Sequence, residues 1–197
     1  MSRLRMPERA DIVFRTLTRA EFPALQRWLN TPHVYEWWGR QAGRGALGGA
    51  GPDAATKEQV EAKYGPEVDG LGVTHRFIID FEGAPIGLIQ WYRLRDFPDY
   101  ARAVGEDPAA SAGLDLLIGE PSALGRGLGS GALDKFVTDV VFAESRVTRV
   151  VAGPAASNAR SIRVFEKAGF RRIRDAMVPG EPVPAAVMVR LKNKPNL

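Results

Sequence analysis

Cysteine is absent from the 197 residues, and histidine occurs only twice, at His33 and His75. The first absence excludes a thiol nucleophile, a disulfide framework, an iron–sulfur centre and a thiolate zinc site. The second excludes a multi-histidine metal centre and leaves imidazole chemistry two positions. Of these, His33 follows Pro32 and is expected to hydrogen-bond locally, while His75 sits in a strand. Long apolar runs are lacking too: none approaches the ~18 residues that cross a bilayer. Residues 1–10 carry Arg3, Arg5 and Arg9 with no apolar stretch after them, unlike a secretory signal. A cytoplasmic protein with no membrane contact is expected. Neither charge sign dominates, since 27 basic residues stand against 23 acidic ones for a net +4. No basic cluster marks a nucleic-acid surface. Repeats, low-complexity tails and dividing linkers are also missing. One domain spanning 1–197 is therefore expected, able to bury roughly 70% of its unfolded surface.

What is present alternates between the strand and helix periods. Residues 11–17 read as a strand, and Thr18 with Glu21 forms a capping box that opens a helix carrying Phe22, Leu25, Trp28 and Leu29. Asn30-Thr31-Pro32 ends it. Tyr35, Glu36, Trp37 and Trp38 then crowd three rings and a carboxylate together, a wall for an acceptor pocket with Glu36 as an amine ligand, or partly core. Residues 43–51 read as a mobile glycine-rich loop and 53–64 as a polar helix. Residues 74–81 and 85–94 form a hairpin around Gly83. A long irregular stretch, 95–112, carries Asp96, Asp99, Glu106 and Asp107, which would attract a polycation or simply be solvated. Residues 114–119 are a strand, 133–141 lie on an apolar-striped helix, 148–152 are a strand, and 157–168 are a helix stopped by Gly169. Two closing strands follow, at 170–178 and 185–191. The order gives an α/β protein of the α+β type, with a mixed sheet of about seven strands and flanking helices.

Two features carry chemistry. Gly125, Gly127, Gly129 and Gly131 lie between a strand and a helix, where backbone N–H groups converge on an anion; a tight turn is the alternative. No lysine follows as a Walker loop requires, and the loop sits too late in the chain for a dinucleotide fingerprint. Asp115 interrupts the apolar strand Leu114-Asp115-Leu116-Leu117-Ile118. Alternation places it with Leu117 on the face opposite Leu114, Leu116 and Ile118, and a carboxylate there needs a partner.

Residues 124–129 resemble the signature of the GNAT superfamily of acyl-CoA-dependent N-acyltransferases, with Gly127 and Gly129 matching and Leu124 in place of the usual polar first residue. Asn158-Ala159-Arg160-Ser161-Ile162, ending in Glu166-Lys167-Ala168-Gly169-Phe170, resembles the superfamily's second CoA-contacting region. Asn30 to Gly39, Pro85-Ile86-Gly87 with Gln90 and Tyr92, and Gly113-Leu114-Asp115 are similar to the aminoglycoside 6'-N-acetyltransferases. The siderophore-type lysine N-acyltransferases share the Asn-x-Pro-His segment.

The resemblance implies a mostly antiparallel sheet splayed between its fourth and fifth strands, with 11–112 as the acceptor side and 113–191 as the acetyl-CoA side. It implies acetyl-CoA as cosubstrate, no metal, a small-molecule amine acceptor, and a monomer or homodimer. It places the catalytic carboxylate on Asp115, with Tyr35, Glu36, Trp37, Trp38, Gln90 and Tyr92 as the acceptor lining. Leu116, Leu117 and Ile118 would pair with pantetheine. Gly125, Arg126, Gly127, Leu128, Gly129, Ser130, Asn158, Arg160, Arg163, Phe165 and Lys167 would contact the rest of CoA. Two departures stand out: Phe165 replaces a tyrosine that protonates the leaving thiolate, and Gly153 replaces an aspartate that contacts the cationic substrate. The expected reaction is acetylation of an aminoglycoside 6'-amine by direct transfer. A hydroxylysine or lysine acyltransferase and a non-catalytic acyl-CoA-binding domain are the alternatives.

Overall fold

Residues 74–93 fold back at Glu82-Gly83, both with positive φ, into the hairpin on which the sheet is assembled. A computed structural model describes residues 11–39 and 55–192. The expected mobile loop at 43–51 and the flexible segment 1–10 lie outside these described residues. The strands are β1 (Ile12–Thr16), β2 (Thr74–Phe81), β3 (Ala84–Arg93), β4 (Ser111–Ile118), β5 (Arg149–Ala152), β6 (Arg171–Ala176) and β7 (Ala185–Leu191). They form one sheet in the order β1-β2-β3-β4-β5-β7-β6, in which only β4 and β5 run parallel. The helices are α1 (Phe22–Leu29), α2 (Pro32–Val34), α3 (Lys57–Val68), α4 (Pro98–Val104), α5 (Leu128–Phe136) and α6 (Ala159–Lys167).

One face of the sheet carries Phe14, Phe77, Ile79, Ile89, Leu114 and Val150 against α5 and α6. Phe136 of α5 meets Phe14 and Phe77 edge-on at centroid distances of 4.9 and 5.1 Å. Such pairs add about 0.5–1.5 kcal/mol each beyond area burial. The other face is covered in two separate patches. Leu25, Trp28, Val60 and Tyr64 of α1 and α3 pack on Ile78, Leu88 and Leu117. Tyr100, Ala101 and Val104 of α4 pack on Tyr92, Val151 and Val187. Between the patches runs a row that register fixes across three strands: Arg76 opposite Gln90, and Gln90 opposite Asp115.

Local signals explain most boundaries. Thr18 and Glu21 form the expected capping box, closing a short turn that leads into α1. A second box, Thr56 with Gln59, starts α3, so the helix expected at 53–64 instead runs from Lys57 to Val68. The Asn30 side chain joins the two helices, exchanging 3.0 Å hydrogen bonds with the backbone N–H and C=O of Ala55.

The stretch 95–112 is not irregular: α4 occupies it, begun by Pro98 and ended by Gly105 in a left-handed conformation. A seven-residue helix holds too few turns to show a period, and Tyr100, Ala101 and Val104 become legible only once β3 and β7 supply a surface. Strand β4 starts at Ser111 rather than 114. The small residues Ser111, Ala112 and Gly113 are held by β5 on one side and β3 on the other, pairing that overrides their weak strand preference.

Candidate active site

Strand β4 pairs with β5 only over Ser111–Gly113 and then parts from it, while Leu114 to Ile118 stay paired with β3. The chain thus opens a cleft in its own sheet beside Asp115. Strand β5 is only four residues long and stays paired with β7 over all of them, ending at Ala152 while β4 runs on to Ile118.

Asp115 is half-buried at this opening and accepts a 2.9 Å hydrogen bond from the Gln90 side-chain amide. Its strand neighbour Gly113 lies under the Tyr92 ring, which would meet an added Cβ at 2.2 Å. Tyr92 itself is only 4% exposed and stands edge-on to Phe97 at 4.6 Å. Leu117, next on the Asp115 face, is buried against the α1–α3 patch, and Leu116 and Ile118 point toward α5 and α6.

The glycine loop follows the end of β4. Gly125 and Gly127 have φ of +76° and +79°, and open space surrounds the position of a Cβ on either. Only glycine takes this conformation without strain. It delivers the first N–H groups of α5, which have no partner inside the helix, to one side of the loop. The Ser130 hydroxyl donates to the Gly127 carbonyl at 3.0 Å. A Cβ on Gly129 would lie 3.5 Å from Ile118 and 3.6 Å from Val164, so the start of α5, the end of β4 and α6 converge here. Leu128 is buried beneath the loop, and the Arg126 guanidinium lies 5.3 Å from the Phe81 ring centroid. On α6, Asn158 caps the helix through a 3.0 Å bond from the Ser161 N–H, and Arg160, Arg163 and Lys167 are exposed. Backbone donors at a helix N-terminus, flanked by exposed cations, suit a pyrophosphate. The cradle therefore fits CoA.

The aromatic segment also joins the site. His33 hydrogen-bonds across the fold rather than locally: Nε2 donates to the Ile118 carbonyl at 3.0 Å, tying α2 to the end of β4. Trp38 packs on the patch containing Tyr64 and Leu117, Tyr35 and Trp37 are half-buried, and Glu36 is exposed. A further tie comes from Glu120, whose carboxylate accepts from Trp28 Nε1 at 2.7 Å and from Arg27 at 2.6 Å. These two donors hold Glu120 below the usual carboxylate range.

Other expected residues are placed differently. Glu106 does not face solvent: it is 8% exposed and pairs with Arg149 at 2.7 Å. Asp99 pairs with Arg102, and Asp107 accepts from the Ala109 N–H. Phe165 is a core residue, 5% exposed and edge-on to Phe170 at 5.2 Å. At Gly153 a Cβ would lie 3.1 Å from the Tyr100 hydroxyl, so α4 occupies the ground next to that glycine. His75 stacks on Trp91 at 4.6 Å, on the sheet face opposite the one that carries Gln90 and Asp115. No cluster able to hold a metal occurs among the described residues, and none of their helices is long and apolar enough to cross a membrane.

Sequence reasoning missed the cations beside the carboxylate. Arg76 is 9% exposed, pairs with Glu67 at 3.0 Å and lies 4.6 Å from the Tyr64 ring centroid. Lys63 lies in the same cluster, lowered to about 8 by burial and by Arg76, with Asp115 and Glu67 pulling the other way. Burial also pushes the Tyr64 hydroxyl up to about 12. An arginine directly ahead of the apolar run Phe77-Ile78-Ile79 in β2 was the one available signal.

A sheet parted beside a carboxylate, with a glycine cradle at its end, defines an acyl-CoA-dependent acyltransferase, and the acetyltransferase (GNAT) domain family matches residues 18–178. The chain belongs to that family. It is 31% identical over 180 residues, 91% of this chain and 84% of the relative, to aminoglycoside N(6')-acetyltransferase type 1 of Klebsiella pneumoniae. Its fold superimposes on the aminoglycoside acetyltransferase AAC(6')-Ib in complex with ribostamycin and coenzyme A, with TM-score 0.74 and 30% identity over 92% of this chain and 94% of that one. The complex of the same enzyme with paromomycin and acetyl-CoA gives TM-score 0.73 and 31% identity over the same shares.

Proposed function

We propose that this acetyltransferase moves the acetyl group of acetyl-CoA to the 6'-amine of an aminoglycoside, directly and without an acyl-enzyme. The observation that carries the reading is Asp115, held by Gln90 where β4 leaves β5. An ammonium with a pKa near 10.4 is neutral in roughly one molecule per thousand or fewer at pH 7. Asp115 orients the amine and takes its proton, directly or through water. The amine nitrogen then bonds to the acetyl carbon as the carbon–sulfur bond breaks; of the two protons the ammonium loses, the first goes to Asp115 and the second passes through water to the CoA thiolate. Backbone N–H groups along Leu116, Leu117 and Ile118 orient the thioester and polarise its carbonyl.

The loop from Gly125 to Ser130, with Arg126, grips the pyrophosphate. Asn158, Arg160, Arg163 and Lys167 line its approach, and Phe165 packs beneath. Trp37 and Trp38 wall the acceptor side with Tyr35, Glu36, Gln90 and Tyr92. Phe165 supplies no proton, so water serves the leaving thiolate, which its ordinary pKa near 8.5 permits. The fold acts as one unit on small molecules, as a monomer or homodimer, in the cytoplasm where acetyl-CoA is available.

Thiol release from acetyl-CoA, measured across aminoglycosides with an amine or a hydroxyl at 6', tests the reading. Turnover confined to the 6'-amines, with the product acetylated there, supports it. Release of thiol with no aminoglycoside, or acetylation at another amine, overturns it.

A further inference from the structure

We propose that Lys63 is a specificity-determining residue of the acceptor site, repelling polycationic acceptors from Asp115 while protonated and admitting them when neutral. The proposal rests on the aminoglycoside reading above and names what regulates it.

The geometry is a row of polar residues on the sheet with α3 packed against it. Arg76, Gln90 and Asp115 stand side by side on β2, β3 and β4. Helix α3 lies over them, tied down where Arg76 Nη1 donates to the Lys63 carbonyl at 3.4 Å. The Tyr64 ring serves two cations, the Arg76 guanidinium at 4.6 Å and Lys63 Nζ at 5.6 Å. The charged groups facing Lys63 are Arg76 from β2, Asp115 from β4 and Glu67 from α3. Glu67 is engaged by Arg76 at 3.0 Å. Protonated Lys63 is thus left in the field of Asp115, the carboxylate an acceptor ammonium must also use. Two cations and one shared carboxylate cannot all be satisfied in a half-buried cluster, where charges act more strongly than in water.

Burial and Arg76 bring the Lys63 titration down to about 8, within the range where the enzyme can be assayed. By linkage, if protonated Lys63 weakens a bound polycation about tenfold, that polycation lowers the Lys63 midpoint by about one unit.

The test compares kanamycin, a polyamine, with 6-amino-6-deoxyglucose, whose single amine sits at the matching carbon, by thiol release from acetyl-CoA in wild type, Lys63→Gln and Lys63→Arg. Acceptor amines lose their own charge as pH rises, equally for all three enzymes, so the ratio of polyamine to single-amine turnover is compared between enzymes at each pH. At about pH 7 the Lys63→Gln ratio is expected to exceed wild type about tenfold and to converge with it by about pH 9. Lys63→Arg should match wild type at the lower pH and fall about tenfold behind it at the higher. A Lys63→Gln ratio that follows wild type across the range overturns the proposal. Should neither acceptor be acetylated by any form, the proposed function fails on its own account, and Lys63 is judged by 13C NMR titration of its Cε in the wild-type protein. A midpoint lowered on adding kanamycin supports the proposal. A midpoint that stays in place overturns it.

Discussion

The Gln90 side-chain amide donates to Asp115 Oδ2 at 2.9 Å from the residue directly opposite on the neighbouring strand. In the proposed reaction this carboxylate takes a proton from an ammonium, and the neutral donor one strand away fixes where it points.

Gln90→Glu would set two carboxylates about 3 Å apart, where both ionise only at a cost, raising the pair's upper titration. The acid limb of the kcat/KM profile should move up by about one unit or more, with acetyl-CoA affinity unchanged. Asp115→Asn keeps the shape and removes the base, so kcat should drop by roughly 10²-fold or more while acetyl-CoA still binds. Steady-state kinetics alongside calorimetric acetyl-CoA titration check both, and retained turnover in Asp115→Asn would remove this residue from the mechanism.

Phe165→Tyr places a hydroxyl where the resemblance implies a proton donor. It should raise kcat, by up to roughly 10²-fold if thiolate departure limits turnover. The ring is buried against Phe170, so the new hydroxyl should cost about 1 kcal/mol of stability unless the acceptor cleft hydrates it. Rapid-quench kinetics and thermal melting separate the two effects.

Lys63→Met tests the half-buried cation thermodynamically. The unfolded lysine titrates near 10.5 and the folded one at about 8, so the unfolded chain binds more protons between those values and stability rises with pH across that window. Below about 8 the full penalty applies; above about 10.5 it is gone. Lys63→Met should therefore stabilise the fold by ~1–3 kcal/mol at neutral pH, with the gain fading as pH climbs through the window. Urea unfolding at several pH values reads it.

Two glycines should answer oppositely to alanine. A Cβ on Gly87 would stand 2.2 Å from the Leu117 carbonyl oxygen and 3.1 Å from the Ile118 Cα, both backbone atoms of β4. Gly87→Ala must separate β3 from β4 and should cost at least about 2 kcal/mol, with loss of activity because Gln90 and Asp115 lie on the same pair. On α5, a Gly131 Cβ would meet only the Ile12 side chain, at 3.5 Å. Gly131→Ala should gain about 0.5–1 kcal/mol from helix propensity. Chemical denaturation of the two variants gives the sign of each.

Much of this was legible along the chain because it is local. The Thr18–Glu21 box, the two apolar runs around the Gly83 turn and the glycine run before α5 are each written within a few residues. Asp115 announced itself as a carboxylate inside an apolar strand. Helix α4 was not legible, since seven residues show no period until β3 and β7 give Tyr100 a surface. The long-range reach of His33 to Ile118 spans 85 residues and leaves no mark on His33's neighbours.

By itself, then, the sequence determined most element types, the glycine turn before α5 and the carboxylate inside β4, because backbone preference and side-chain period act over short spans. The tertiary structure alone decided which charges meet that carboxylate. Register between β2, β3 and β4 brings Arg76, Gln90 and Asp115 into one row, and α3 lowers Lys63 onto it. The electrostatic character of an acceptor site is a sum over neighbours in space, and those neighbours are drawn from four separate elements.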